Sequence, residues 1–129
     1  MAETRVLDAK ALLNAGRWSG AYYLAGYSIE CGLKACALAL IEKTGIIYRD
    51  KKFAEKCWTH EVEELLKLAG LERGPAIAAS SVFGTHWLIV KRWNEAARYS
   101  EWTEAESRSL LTAVTHPTEG VLQWIRLHW

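Results

Sequence analysis

Excess charge of one sign, paired cysteines and alternating strand patterns are what this chain lacks. Its 129 residues carry 16 Lys or Arg against 15 Asp or Glu, a formal net charge of +1. It therefore has no overall basic character of the kind that draws a protein onto nucleic acid, and only a local patch is left open. The 3 cysteines make an odd count. Cys31 and Cys36 stand on one expected helix about 140° apart around its axis, too far round for a disulfide. With no secretory pattern in the opening residues, this predicts a reducing, cytoplasmic setting. There is no Gly-rich phosphate loop, no Ser/His/Asp arrangement, no internal repeat and no low-complexity linker. Cys57 and His60 have the spacing of half a zinc site, but no second Cys/His pair follows, so neither a metal nor a cofactor is expected. No segment sustains an alternation of apolar and polar residues, which excludes a sheet of any size and makes the chain all-α.

What is present is a long neutral stretch. Between Trp18 and Ile41 the only charges are Glu30 and Lys34, one helical turn apart. Ala21, Ala25, Ser28, Gly32, Ala35 and Ala39 form one stripe of small side chains; Tyr23, Tyr27, Glu30 and Lys34 form the opposite stripe. A helix apolar almost all round is expected to be buried, with its small face admitting a close neighbour. The stretch is long enough to cross a bilayer. Glu30 and Lys34 would then lie at mid-membrane, at about 2.5–3.5 kcal/mol for a central Lys, so a core helix rather than a membrane span is expected.

Half of the residues are hydrophobic and about a quarter charged, a globular balance that predicts one domain over 1–129. A short helix is expected over 3–15, with Val6, Leu7, Ala11 and Leu13 inward and Gly16 as its stop. The central helix runs from Trp18 to Lys43. The polar, basic stretch from Tyr48 to Lys56 reads as a loop. Thr59 caps a helix with an acidic first turn and an inner stripe of Val62, Leu65, Leu66 and Ala69, closed by Gly70. Gly74-Pro75 opens a helix to Lys91, bent near Gly84, and an irregular segment follows from Trp93 to Trp102. Thr103 and Glu106 form a capping box. Pro117 ends that helix, and Thr115 caps a last one that buries Val121, Leu122, Trp124, Ile125 and Trp129. The expected architecture is a compact up-and-down bundle of four to five helices.

Three separate segments carry a family likeness: the run Ala21-Tyr-Tyr-Leu-Ala-Gly-Tyr-Ser-Ile-Glu-Cys-Gly-Leu-Lys-Ala35, then Thr59-His60 leading a Leu-rich helix, then Trp93 through Arg98-Tyr99. With the C-terminal Gly120-Val-Leu-Gln-Trp124-Ile they resemble the HEPN domain (higher eukaryotes and prokaryotes nucleotide-binding). The resemblance implies a helical bundle acting as a homodimer. It also implies a place in a toxin–antitoxin or nucleotide-linked stress or defence module, with a small nucleotidyltransferase as partner and RNA or a nucleotide as ligand. The catalytic branch of that family cleaves RNA without a metal, using an Arg and a His four to six positions apart. Here Arg92 is followed at that spacing by Arg98 and Tyr99 instead, so the usual pair is missing and only a His from elsewhere, such as His60 or His86, is available to meet an Arg in space.

Four residues are thus candidates for chemistry, Arg92, Arg98, Tyr99 and His60, and four for ligand binding, Tyr23, Tyr27, Glu30 and Lys34. Glu30 and Lys34 read either as a structural ion pair at a helix seam or as the wall of a polar cleft in which Tyr faces stack on a base and Lys meets phosphate. Arg92, Arg98 and Tyr99 read either as a phosphate clamp or as helix caps and partners of Glu95 and Glu101. Trp58, Trp87, Trp93 and Trp102 fit core positions better than a stacking platform.

Overall fold

A computed structural model describes residues 1–44, 59–71, 74 and 81–129. The loop expected over 48–56, together with Cys57, Trp58 and the helix start at Pro75, lies outside these residues. Among the described residues there are six α-helices, one more than the upper bound expected, and one 3₁₀ helix, with no strand. They are α1 (Ala2–Asn14), α2 (Trp18–Thr44), α3 (Val62–Leu68), α4 (Ser81–Lys91), the 3₁₀ helix (Glu95–Tyr99), α5 (Glu104–Thr115) and α6 (Val121–Arg126).

α2 is the axis of the fold, packing against α1, α3, α5, α6 and the 3₁₀ helix. Ile29 and Leu33 on α2, Val90 on α4, Leu110 and Val114 on α5, and Val121 and Ile125 on α6 are fully buried together. α2 is nevertheless not enclosed all round. Its buried arc is centred on Ile29, Leu33 and Cys36, and the small stripe forms one margin of that arc. Ala21, Ala25, Ser28 and Gly32 are buried, Ala35 is exposed and Ala39 half-buried. Leu24, Tyr27, Cys31 and Lys34 are half-buried on the outward side, and Leu38 is exposed. Trp18–Lys43 is long and apolar enough to cross a membrane by length and composition, and just over half of its most apolar window is buried within the protein.

Two expected glycine stops are present. Gly16 (φ 75°) and Gly70 (φ 72°) both adopt the left-handed conformation that a side chain disfavours. Arg17 N–H returns to Leu12 O at 2.8 Å, and Leu71 N–H to Leu66 O at 3.0 Å, closing each helix. The capping box is also formed: Thr103 Oγ1 accepts from Glu106 N–H at 3.2 Å and Glu106 Oε2 accepts from Thr103 N–H at 2.9 Å.

Four local expectations are corrected. In α1 the buried set is Ala2, Val6, Ala9 and Leu13, while Leu7 and Ala11 face solvent; close approach to α2 selects alanines over a leucine one residue from Val6. Thr59 does not cap α3. Its hydroxyl accepts from Glu61 N–H at 3.2 Å and the helix begins two residues later, with Glu61 as N-cap. Thr115 caps nothing: its hydroxyl donates back to Leu111 O at 2.7 Å, and α6 starts from Gly120. Trp129, expected inside, is 42% exposed and lies over Gly32.

Candidate functional site

The site is built outward from a glycine. An ideal Cβ on Gly26 would lie 2.2 Å from two atoms of the Trp93 indole, so only glycine lets that ring lie flat against α2. Trp93 is 2% exposed, and its Nε1 has no hydrogen-bond partner among the described residues. Its backbone N–H donates to Val90 O at 3.0 Å, turning the chain out of α4. Asn94 Oδ1 then accepts from Ala96 N–H at 2.9 Å and starts the 3₁₀ helix. That short helix presents Glu95, Arg98 and Tyr99.

One turn along α2 from Gly26 sits Glu30, 1% exposed. Its Oε1 accepts from Lys34 Nζ and from His60 Nδ1, each at 2.7 Å. The other oxygen, Oε2, is buried without a partner among the described residues. His60 enters on the segment that leads into α3. Its Nε2 lies 3.3 Å from Glu95 Oε2, and Glu95 Oε1 lies 3.2 Å from an Arg98 nitrogen. Lys34, Glu30, His60, Glu95 and Arg98 thus form a continuous chain of polar contacts across three separate segments. An imidazole with a carboxylate at each nitrogen donates to both only when protonated.

Aromatic rings flank this chain. Tyr23 and Tyr27 stack at 5.9 Å between ring centroids, and Tyr23 lies 5.8 Å from Trp93. The Cys31 sulfur, then burial and the Glu30 carboxylate, push the Tyr27 phenol up from its ordinary value, keeping it a neutral donor. Arg98 lies over the Tyr99 ring at 4.8 Å, and hydrogen bonding with Tyr99 holds its guanidinium further up. Tyr99 is 79% exposed. Beside the chain opens a cleft of about 550 Å³, lined by Thr59–Glu63 and by Lys91–Ala96. Arg92 stands on its wall, exposed and with no carboxylate at ion-pairing distance among the described residues.

Seven of the eight candidate residues therefore fall into three groups. Glu30, Lys34 and His60 meet directly; Arg98, with Tyr99 beside it, joins them through Glu95; Tyr23 and Tyr27 form the aromatic border. Arg92 belongs to the cleft wall and not to the ionic chain. The Glu30–Lys34 pair serves as a seam between α2 and the approach to α3, because His60 closes it from the far side. Glu95, read only as a structural partner of the arginines, proves to be the link to His60. Gly26 carried the one signal that could have located Trp93, a glycine in mid-helix with no turn to explain it. No group of three His, Cys, Asp or Glu side chains is placed to hold a metal ion among the described residues. Comparison with protein-family models, curated proteins and solved structures gives no match.

Proposed function

We propose that the protein is a HEPN-like helical module acting as a homodimer in a toxin–antitoxin or nucleotide-linked stress or defence system, and that its cleft binds the phosphate of RNA or of a nucleotide. One observation carries this reading: three segments that the resemblance singles out, 21–35, 59–60 and 93–99, meet in one ionic cluster, with His60 Nδ1 2.7 Å from Glu30 Oε1. Arg92, on the cleft wall with no ion-pair partner among the described residues, supplies a guanidinium for a phosphate oxygen. The Tyr23–Tyr27 pair offers faces for a base, and stacking of this kind contributes about 1–3 kcal/mol per base. The apolar outward side of α2, with Leu24, Tyr27, Cys31 and Leu38, supports a homodimer.

A second reading, a non-catalytic module that docks a small nucleotidyltransferase, is favoured by the surroundings of His60. With carboxylates at both nitrogens the ring has no free atom to take a proton from a ribose hydroxyl. One set of assays separates the two. RNA cleavage that survives EDTA and is lost in both Arg98→Ala and His60→Ala identifies a nuclease. Intact RNA, together with a stable complex with a nucleotidyltransferase encoded beside this chain, identifies the docking module. In either case Arg92→Ala is expected to weaken nucleotide binding about tenfold, the scale of one lost charge-assisted contact. Unchanged affinity removes the cleft from the proposal, and a monomer mass in light scattering removes the dimer.

A further inference from the structure

A second pocket, sharing no lining residue with the cleft, lies where α1 meets the turn between α5 and α6. It has a volume of about 300 Å³, the lower end of the range for small-molecule sites. Val6, Val114 and Leu122 make its apolar floor, and Lys10, His116 and Arg126 stand around them. We propose that this pocket binds a small monocarboxylic acid, with the carboxylate on the cations and an apolar body on the floor.

The three polar groups are available in different ways. Lys10 is exposed and has no ion-pair partner among the described residues. Arg126 is tethered to Glu3 at 2.8 Å, but both side chains are about half exposed or more, so the tether is readily given up. His116 is fixed by its own turn: Nδ1 accepts from the backbone N–H of Thr118 at 3.3 Å and of Glu119 at 2.9 Å. A ring that accepts at Nδ1 carries its proton on Nε2 when neutral, so the opposite edge is a donor. That edge has no partner among the described residues.

Three carbonyls around the end of α5, which would repel an anion, are already engaged. Leu111 O accepts from the Thr115 hydroxyl, Thr112 O from His116 N–H and His116 O from Gly120 N–H. Lys10 and Arg126 are the formally charged lining residues, both cationic, with Glu3 held on Arg126 and Glu119 in the His116 turn just outside the lining. That balance matches a monoanion better than a phosphate dianion.

Benzoate is a suitable probe, followed through the side-chain NMR signals of His116 in the full chain. Benzoate is expected to give a saturable shift, with acetate bound about tenfold more weakly for want of apolar contact and benzamide not bound. Lys10→Ala, an exposed change that leaves the fold intact, is expected to weaken benzoate about fivefold, and Glu3→Gln to tighten it about twofold by freeing Arg126. Phenyl phosphate binding as tightly as benzoate would overturn the charge argument. Equal binding of acetate would overturn the floor. A benzoate shift untouched by Lys10→Ala would mean an adventitious ion only.

Discussion

Gly26 and Gly32 lie on the same helix, both buried, yet they meet opposite kinds of neighbour. A Cβ on Gly26 would fall inside the Trp93 indole, 2.2 Å from its nearest atoms. A Cβ on Gly32 would stand 3.2 Å from an Ile125 methyl and 3.3 Å from the Trp129 ring. Trp93 is sealed in, whereas Trp129 is 42% exposed. The first glycine is therefore a seat that locates the 3₁₀ helix and the ionic chain it carries; the second is a tight seam between α2 and α6 that a small shift could open. The difference teaches that a small-residue stripe has no uniform meaning. Its consequence at each position depends on whether the opposing group can move.

The sharpest way to break this comparison is to add a methyl group at each site. Gly26→Ala is expected to destabilise by about 3 kcal/mol, the upper end of overpacking costs, because a buried indole has nowhere to go. Gly32→Ala is expected to cost about 1 kcal/mol, since the buried Ile125 methyl and the Trp129 ring need give by only a few tenths of an ångström. Denaturant melts of the two variants test the ranking, and equal losses would show that Trp93 is not locked. Displacing Trp93 should also carry Glu95 away from His60, so Gly26→Ala alone should alter the His60 NMR signals.

Between these extremes lies the ionic chain. Lys34→Ala leaves the enclosed Glu30 carboxylate with His60 alone, and is expected to cost about 1–2 kcal/mol: less than for a fully buried pair because Lys34 is partly exposed. Glu30→Leu removes the buried charge itself and returns Lys34 and His60 to water, so it is expected to cost less than Lys34→Ala. Thermal melts of the two variants check the order. The reverse order would mean that the chain contributes more as a network than as a way of neutralising Glu30.

These residues also mark what a sequence makes legible. The capping box at Thr103, the glycine stops at Gly16 and Gly70 and the break before Pro117 depend on neighbours within a few positions, and each is present. Glu30 with Lys34 was visible for the same reason, as a pair four residues apart. His60 and Glu95 were not placed beside them, because their meeting depends on how the approach to α3 and the 3₁₀ helix are carried across α2, which no local pattern encodes. The failed caps at Thr59 and Thr115 share another cause. A hydroxyl near a helix start has rival acceptors and donors within two to four residues, and here Glu61 N–H and Leu111 O took them. In α1, hydrophobicity favoured Leu7, but the seam with α2 accepted Ala9.

The smallest expected effect belongs to the α2–α6 side of the comparison. Cys36 is buried there, its thiol 3.5 Å from Ile125 O, and burial pushes it from 9.0 up to about 11. Above pH 9 the unfolded chain releases this proton while the folded chain keeps it, so the folded state binds more protons. Stability from this group is complete below pH 9 and is lost as pH rises through about 11. Tyr22 and Tyr27 are also raised, and each adds a loss of the same sign at high pH. The slope of stability against pH is therefore not diagnostic alone, but its difference between wild type and Cys36→Ala is. Cys36→Ala is expected to be slightly less stable at neutral pH and to lose stability more slowly from pH 9 to 11. Parallel curves would show that α6 lifts from α2 readily enough to admit water to the thiol, and the contrast between Gly32 on that seam and a locked Gly26 would then be larger than the two glycines alone suggest.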